Sequence, residues 1–290
     1  MRLSDLKLWI QAARPKTLIA SISPVVLASC HFRSFSEDFP IIIFAGCLLF
    51  GIFVQISTNY FNDYLDFLSG ADNDRSFGPR RMVAAGKIAG MKIRNIAMIV
   101  LLTAFVIGLV TLFLAKAPLW FLPLGILCLF LSYGYTGGPY PLAYHGLGDF
   151  FVILFFGFVA FEGTNLMLSY AVNLPWNPNL LLALFIGLLI NNLLVVNNYR
   201  DYEEDKRNNK KTTVVLFGRK FALFIFGSSF VIPLVIFPLF QGNLSFVALS
   251  LLGFICLFLL IIPHKKRNFD MALFLTAMTI CLYTLMHLLK

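Results

Sequence analysis

Residues 40–66 read PIIIFAGCLLFGIFVQISTNYFNDYLD: twenty-two residues without a charge, closing on Asn62-Asp63-Tyr64-Leu65-Asp66. An apolar run of about 20 residues is what one helix needs to cross a bilayer. Counting outward from this stretch gives nine such runs, at about 17–34, 40–61, 95–115, 118–136, 149–171, 179–198, 221–240, 244–263 and 270–289. The 290-residue chain is 59% hydrophobic and 13% charged, against roughly a quarter charged in an ordinary soluble domain. The expectation is an all-α polytopic membrane protein. It is a single transmembrane domain over 1–290, a bundle of about nine transmembrane helices with polar loops at about 62–94 and 198–220. The first run begins well inside the chain and no small-residue cleavage site follows a short apolar core, so no cleavable signal is expected. Cys30, Cys47, Cys128, Cys256 and Cys281 lie in or beside the runs without CxxC spacing; they read as packing residues, not as disulfides or a zinc site.

The net charge is +9, and its placement is one-sided. With the N-terminus inside, twenty Lys and Arg fall on the inner side and only Arg33, Lys116 and Lys290 on the other. That follows the positive-inside rule. Topology accounts for the basic loops, and they carry no RNA- or DNA-binding motif, so no nucleic-acid partner is expected.

Topology does not account for the acids. Of fourteen Asp and Glu residues, Asp63, Asp66, Asp72 and Asp74 follow the second run, and Asp201, Glu203, Glu204 and Asp205 follow the sixth. Asp63 and Asp66 are three apart, Asp201 and Asp205 four apart, so each pair shares a helix face if the helix continues. Two carboxylates about 5 Å apart repel by roughly 3 kcal/mol at an effective dielectric of 20. A hard divalent cation offsets that, and Mg2+ binds through a few carboxylates plus substrate phosphates. Arg75, Arg80 and Arg81 follow the first cluster, while Arg200, Lys206, Arg207, Lys210 and Lys211 interleave with the second. They suit a diphosphate, and simple salt-bridge neutralisation is the alternative. Asn62-Asp63-Tyr64-Leu65-Asp66 also aligns with Asn197-Asn198-Tyr199-Arg200-Asp201, 135 residues later, which suggests pseudo-repeated four-helix halves with a ninth helix added.

Asn62-Asp63-x-x-Asp66, with Gly70-x-Asp72, and Asp201-x-x-x-Asp205 resemble the two aspartate-rich motifs of the UbiA-type superfamily of intramembrane prenyltransferases. Four segments are similar to its 1,4-dihydroxy-2-naphthoate branch: Arg14-Pro15-Lys16-Thr17; Gln55 to Asp72 with Gly78-Pro79-Arg80-Arg81; Tyr135 to Leu142 with Gly146-Leu147-Gly148-Asp149; and Asn197 to Thr212. Two residues depart from the pattern. Asn209 stands where the branch has Gly, and Asn tolerates a positive φ. Glu162 lies within a span, where an acid is costly and is a functional candidate by default; pairing with Asn165 is the structural alternative.

The resemblance implies transfer of a polyprenyl group from its diphosphate to a small aromatic acceptor: 1,4-dihydroxy-2-naphthoate with decarboxylation, giving demethylmenaquinone. Another ring, 4-hydroxybenzoate or homogentisate, is the alternative within the superfamily. Asp63, Asp66, Asp201 and Asp205 would be catalytic. With Asn62 and Asp72 they would hold two Mg2+ ions, Mn2+ being the other ion that accepts such ligands. Arg14, Lys16, Arg81, Tyr135 and Lys210 would bind substrate, and Tyr144 and His145 could act on the acceptor. The protein would sit in the bacterial inner membrane with its N-terminus and active site cytoplasmic. A transporter is the alternative of another class, but it should gather polar groups near the midplane, and here they gather at one face.

Overall fold

The computed structural model describes residues 3–71, 81–236, 247–262 and 265–289. Among these residues the regular structure is helical throughout, and one isolated bridge between His145 and Lys211 is the sole extended pairing. In chain order the helices are α1 (Leu3–Ala13), α2 (Ile19–Arg33), α3 (Ile41–Leu68), α4 (Gly90–Leu114), α5 (Phe121–Gly134), α6 (Gly148–Ala171), α7 (Leu180–Arg200), α8 (Tyr202–Arg207), α9 (Thr213–Phe217), α10 (Arg219–Ile236), α11 (Val247–Ile261) and α12 (Lys266–Leu288). Six of them, α3, α4, α6, α7, α10 and α12, are long and apolar enough to cross a membrane, while α2, α5 and α11 are shorter apolar helices of 15, 14 and 15 residues.

The helices start and stop for local reasons. Asn179 caps α7, its side chain accepting the Leu182 amide at 3.0 Å, which satisfies one of the donors a helix N-terminus leaves open. Past the end of α3, Gly70 takes φ 77°, the left-handed turn that closes a helix and that glycine adopts without strain. The first polar loop therefore begins one turn beyond Asp66.

Packing is inside out relative to a soluble bundle. On α4, Met98, Ile99, Leu102, Val106, Val110 and Phe113 are all exposed, a stripe at helical spacing that only lipid can cover. The most buried of the long helices is α7, which packs against α6, α10 and α12, while α2 packs against α3, α6 and α12.

Residues 153–162 of α6 form a π-helical turn sequence, an uncommon geometry that favours functional sites. It lies directly on α7. A Cβ added to Gly157 would stand 2.6 Å from the Ala183 carbonyl oxygen, and one added to Gly187 would stand 2.9 Å from that of Ile153. Backbone meets backbone there, and no side chain separates the two helices.

Candidate active site

The last turns of α3 organise one end of the bundle. Both oxygens of Asp63 accept backbone amides, Met82 and Val83, at 3.0 Å each. That pins the segment after the first polar loop against α3. One turn on, Asp66 is paired with Arg81 and accepts the Tyr144 hydroxyl at 2.8 Å. Arg81 also donates to the Asn62 carbonyl, and the Asn62 side-chain oxygen accepts from Thr136. The Asp66 carboxylate further faces the charges of Lys210 and Arg14. Arg14 sits at φ 51° just before the turn Pro15–Thr17, a left-handed backbone that costs a non-glycine residue about 1–3 kcal/mol and is concentrated at functional sites.

The second acid segment arrives at the same place. Asp205 is 3.8 Å from Lys210 Nζ, and Asn209, at φ 54°, turns the chain so that the Lys210 amide bonds back to the Asp205 carbonyl at 2.8 Å. Lys210 Nζ stands 5.3 Å from the centre of the Tyr144 ring. The Asn208 side chain donates to the Ala71 carbonyl at 3.3 Å, and the Lys211 amide donates to the Tyr144 carbonyl at 3.2 Å. Two segments 135 residues apart in sequence thus close around one tyrosine. Burial and the Asp66 charge raise the Tyr144 phenol above its ordinary range, so it stays a protonated donor at neutral pH. Desolvation, then Asp149, Asp66 and Asp205, raise the Tyr135 phenol likewise.

Below this polar end lies a cavity of about 380 Å³, lined by α2, α3, α4, α5, α6 and α7. Thr17, Asn62, Tyr135 and Asn197 line it at the polar end, and Cys47, Thr164 and Met167 line it near the other. Cys47 is four turns of α3 from Asn62, roughly 22 Å at 1.5 Å per residue.

One known family matches nearly the whole chain. The UbiA prenyltransferase family model covers residues 22–286. The chain belongs to the UbiA prenyltransferase family. Among its relatives is the 1,4-dihydroxy-2-naphthoate octaprenyltransferase of Bacillus subtilis, 32% identical over 79% of this chain and 71% of that one. The protein of the same name from Mycobacterium tuberculosis is 35% identical over 72% and 70%. A UbiA homologue from Archaeoglobus fulgidus, solved bound to GPP and Mg2+, shares the fold: TM-score 0.64 at 16% identity, covering 98% of this chain and 100% of that one. The chain is thus an integral membrane prenyltransferase of the UbiA family.

Within this UbiA chain, Asn62, Asp66, Arg14, Arg81, Tyr135, Asp205 and Lys210 gather at the polar end of the bundle. Asp63 is there too, committed to the loop backbone. Asp201 is held by Arg200, Nε to Oδ1 at 2.6 Å and Nη2 to Oδ2 at 2.8 Å, and the Arg200 guanidinium also faces Asp270 and Glu204. Lys16 is exposed on its turn. Asp72 lies outside the described residues, as do Asp74, Arg75 and Arg80.

Salt-bridge neutralisation, weighed as an alternative for the acids, is present at Asp66, Asp201 and Asp205. Among the described residues no three acid, histidine or cysteine side chains could hold a metal ion by themselves. Hard oxygen donors that stop short of a closed cage still fit Mg2+, which keeps most of its positions for water and substrate phosphate. Asn62, Asp66 and Asp205 are oxygen donors at this polar end.

Glu162 is not part of the UbiA site. It stands toward the opposite end, where its oxygens accept the Asn179 amide at 2.7 Å, Trp176 Nε1 at 3.2 Å and Asn165 Nδ2 at 3.3 Å. Its charge is met by three donors that tie down the connection between α6 and α7. His145 donates from Nδ1 to the Pro141 carbonyl, 2.8 Å away, and stacks on Tyr140 at 3.7 Å. Two contributors were not singled out from sequence: Thr136, which orients Asn62, and Asp149, which accepts Asn191 at 3.0 Å and Thr213 at 2.5 Å. Asp149 did stand inside a quoted motif, at the first turn of α6. Thr136 lies in one too, the segment Tyr135 to Leu142.

Proposed function

We propose that the protein transfers a polyprenyl group from its diphosphate to 1,4-dihydroxy-2-naphthoate, with loss of the ring carboxylate as CO2. One observation carries this reading: Asp66 and Asp205, from acid segments 135 residues apart, meet through Tyr144 and Lys210 at the mouth of an apolar cavity. Relatives at 32% and 35% identity carry that acceptor in their names. The whole chain acts as one domain of nine crossings, with α2, α5 and α11 counted alongside the six long helices. Its two acid segments are corresponding parts of repeated halves. The N-terminus and the site face the cytoplasm of a bacterial inner membrane, a reading that the bias of basic residues supports.

The chain's own groups divide the chemistry. Arg14, Arg81 and Lys210 bind the diphosphate and stabilise the charge it gains as the prenyl C–O bond breaks and the electron pair leaves with it. Lys16 and Tyr135 complete the substrate-binding set. Asn62, Asp66, Asp201, Asp205 and Asp72 would hold two Mg2+ ions (Mn2+ could substitute) that add positive charge to the leaving group, and Asp63 keeps the cation-bearing loop in place. The apolar cavity excludes water from the allylic cation until the ring carbon attacks, and aromatic faces favour that cation.

The test is one assay. Membranes carrying the protein receive labelled polyprenyl diphosphate and, separately, 1,4-dihydroxy-2-naphthoate, 4-hydroxybenzoate and homogentisate, with and without EDTA. EDTA-sensitive transfer to the naphthoate is expected. Transfer to another ring alone would reassign the acceptor, and full transfer in EDTA would remove the metal.

A further inference from the structure

The cavity contains a polar group that a prenyl tail cannot use. Thr17, Ser21, Thr58, Thr111 and Thr164 all line it, and each hydroxyl is spent on a backbone carbonyl of its own turn, at 2.9, 3.0, 2.9, 2.7 and 2.7 Å. Ser132 differs. It lines the same cavity, is 3% exposed, and its Oγ has no hydrogen-bond partner among the described residues. A buried hydroxyl left unpaired costs free energy, and a hydrocarbon chain beside it would leave that cost standing.

Its position narrows what would pair with it. Ser132 lies one helical turn before Tyr135 on α5, so both face the cavity near its polar end. Gln55, half-buried, lies two turns before Asn62 on α3 and lines the same cavity. Ser132 therefore sits one turn below Tyr135 and Gln55 about 10 Å below Asn62 along α3, both on the cavity side of the diphosphate-binding groups. A ring bearing hydroxyls must enter there.

We infer that Ser132, with Gln55, forms the acceptor subsite: it hydrogen-bonds a phenolic hydroxyl of the aromatic substrate and sets the ring against the prenyl carbon. This deepens the proposed function and rests on it.

The test uses the full-length protein in detergent or nanodiscs, with Ser132→Ala and Gln55→Leu. In Ser132→Ala the KM for 1,4-dihydroxy-2-naphthoate should rise about tenfold, the cost of one hydrogen bond to substrate. The KM for the polyprenyl diphosphate should stay within about twofold, because the tail makes no hydrogen bond. The unfolding temperature of the ligand-free variant should be no lower than the parent's, since no partner inside the protein is lost. Gln55→Leu should shift the acceptor KM in the same direction. For competitive naphthol inhibitors that lack one or other hydroxyl, the gap between parent and Ser132→Ala should vanish for one of them. An unchanged acceptor KM in both variants, or acceptor and diphosphate KM rising together with a lower unfolding temperature, overturns the subsite while the parent still transfers. A parent that transfers to no ring overturns the function itself, and the subsite with it.

Discussion

Asp66 and Asp201 hold equivalent places in the two acid segments, yet their surroundings differ. Asp66 is touched by groups from three segments, Arg81, Tyr144 and the charge of Lys210. Asp201 is clasped by its own chain neighbour, and the Arg200 side chain is 2% exposed. Asp66→Asn should abolish transfer and lower stability, since it breaks a buried ion pair, but the fold should survive because Arg81 keeps its bond to the Asn62 carbonyl and Asp63 keeps its grip on Met82 and Val83. Asp201→Asn should cost transfer and more stability than Asp66→Asn, since Arg200 loses a bidentate partner, although the charges of Asp270 and Glu204 still face it. Activity assays beside thermal unfolding in detergent separate the two variants. Equal stability in both would show that the Arg200 pair contributes no more than the Arg81 pair.

At the scale of the element, α6 and α7 are placed by what they lack. Gly157 and Gly187 bring the π-helical turns of α6 onto α7, which presents Ile190, Leu193, Leu194 and Asn197 to the cavity. Gly187→Val would drive a side chain into the Ile153 carbonyl and Gly157 Cα, at 2.9 and 3.1 Å from its Cβ. Overpacking of that kind costs about 1–3 kcal/mol or more, so the variant should melt lower and lose transfer. Gly227→Ala on α10 is the contrast, because a Cβ there meets nothing within 4 Å. It should be neutral or stabilise by up to about 1 kcal/mol through helix propensity. A variant at Gly187 that melts with the parent would dismiss the close approach.

For the molecule as a whole, cavity depth and sidedness are the exposed questions. Gly163 lines the cavity toward the end away from the polar groups, and a Cβ there meets nothing within 4 Å. Gly163→Leu should fill that end, raising the KM for long polyprenyl diphosphates while leaving geranyl diphosphate near its parent value. Equal effects on both lengths would place the tail elsewhere. Orientation can be read by labelling single cysteines in intact cells with an impermeant thiol reagent. Leu174→Cys, between α6 and α7, should react from outside; Arg207→Cys, beside the site, should react only once the membrane is opened. The reverse pattern would invert the topology.

Much of this was fixed along the chain. Charge-free runs named the helices, because a bilayer core admits little else; the spacing of Asp63 with Asp66 and of Asp201 with Asp205 marked the segments; and Asn209 signalled a left-handed turn. Three kinds of fact needed the fold. Salt-bridge partners did, since whether Asp201 faces Arg200 or a substrate depends on rotamers and neighbours that sequence spacing leaves open. So did Tyr144, whose meeting with Asp66 and Lys210 joins segments far apart in the chain. Ser132 is the plainest case: a serine within a span usually bonds its own helix, and only the packing of six helices around a cavity leaves this one buried, facing inward and without a partner among the described residues.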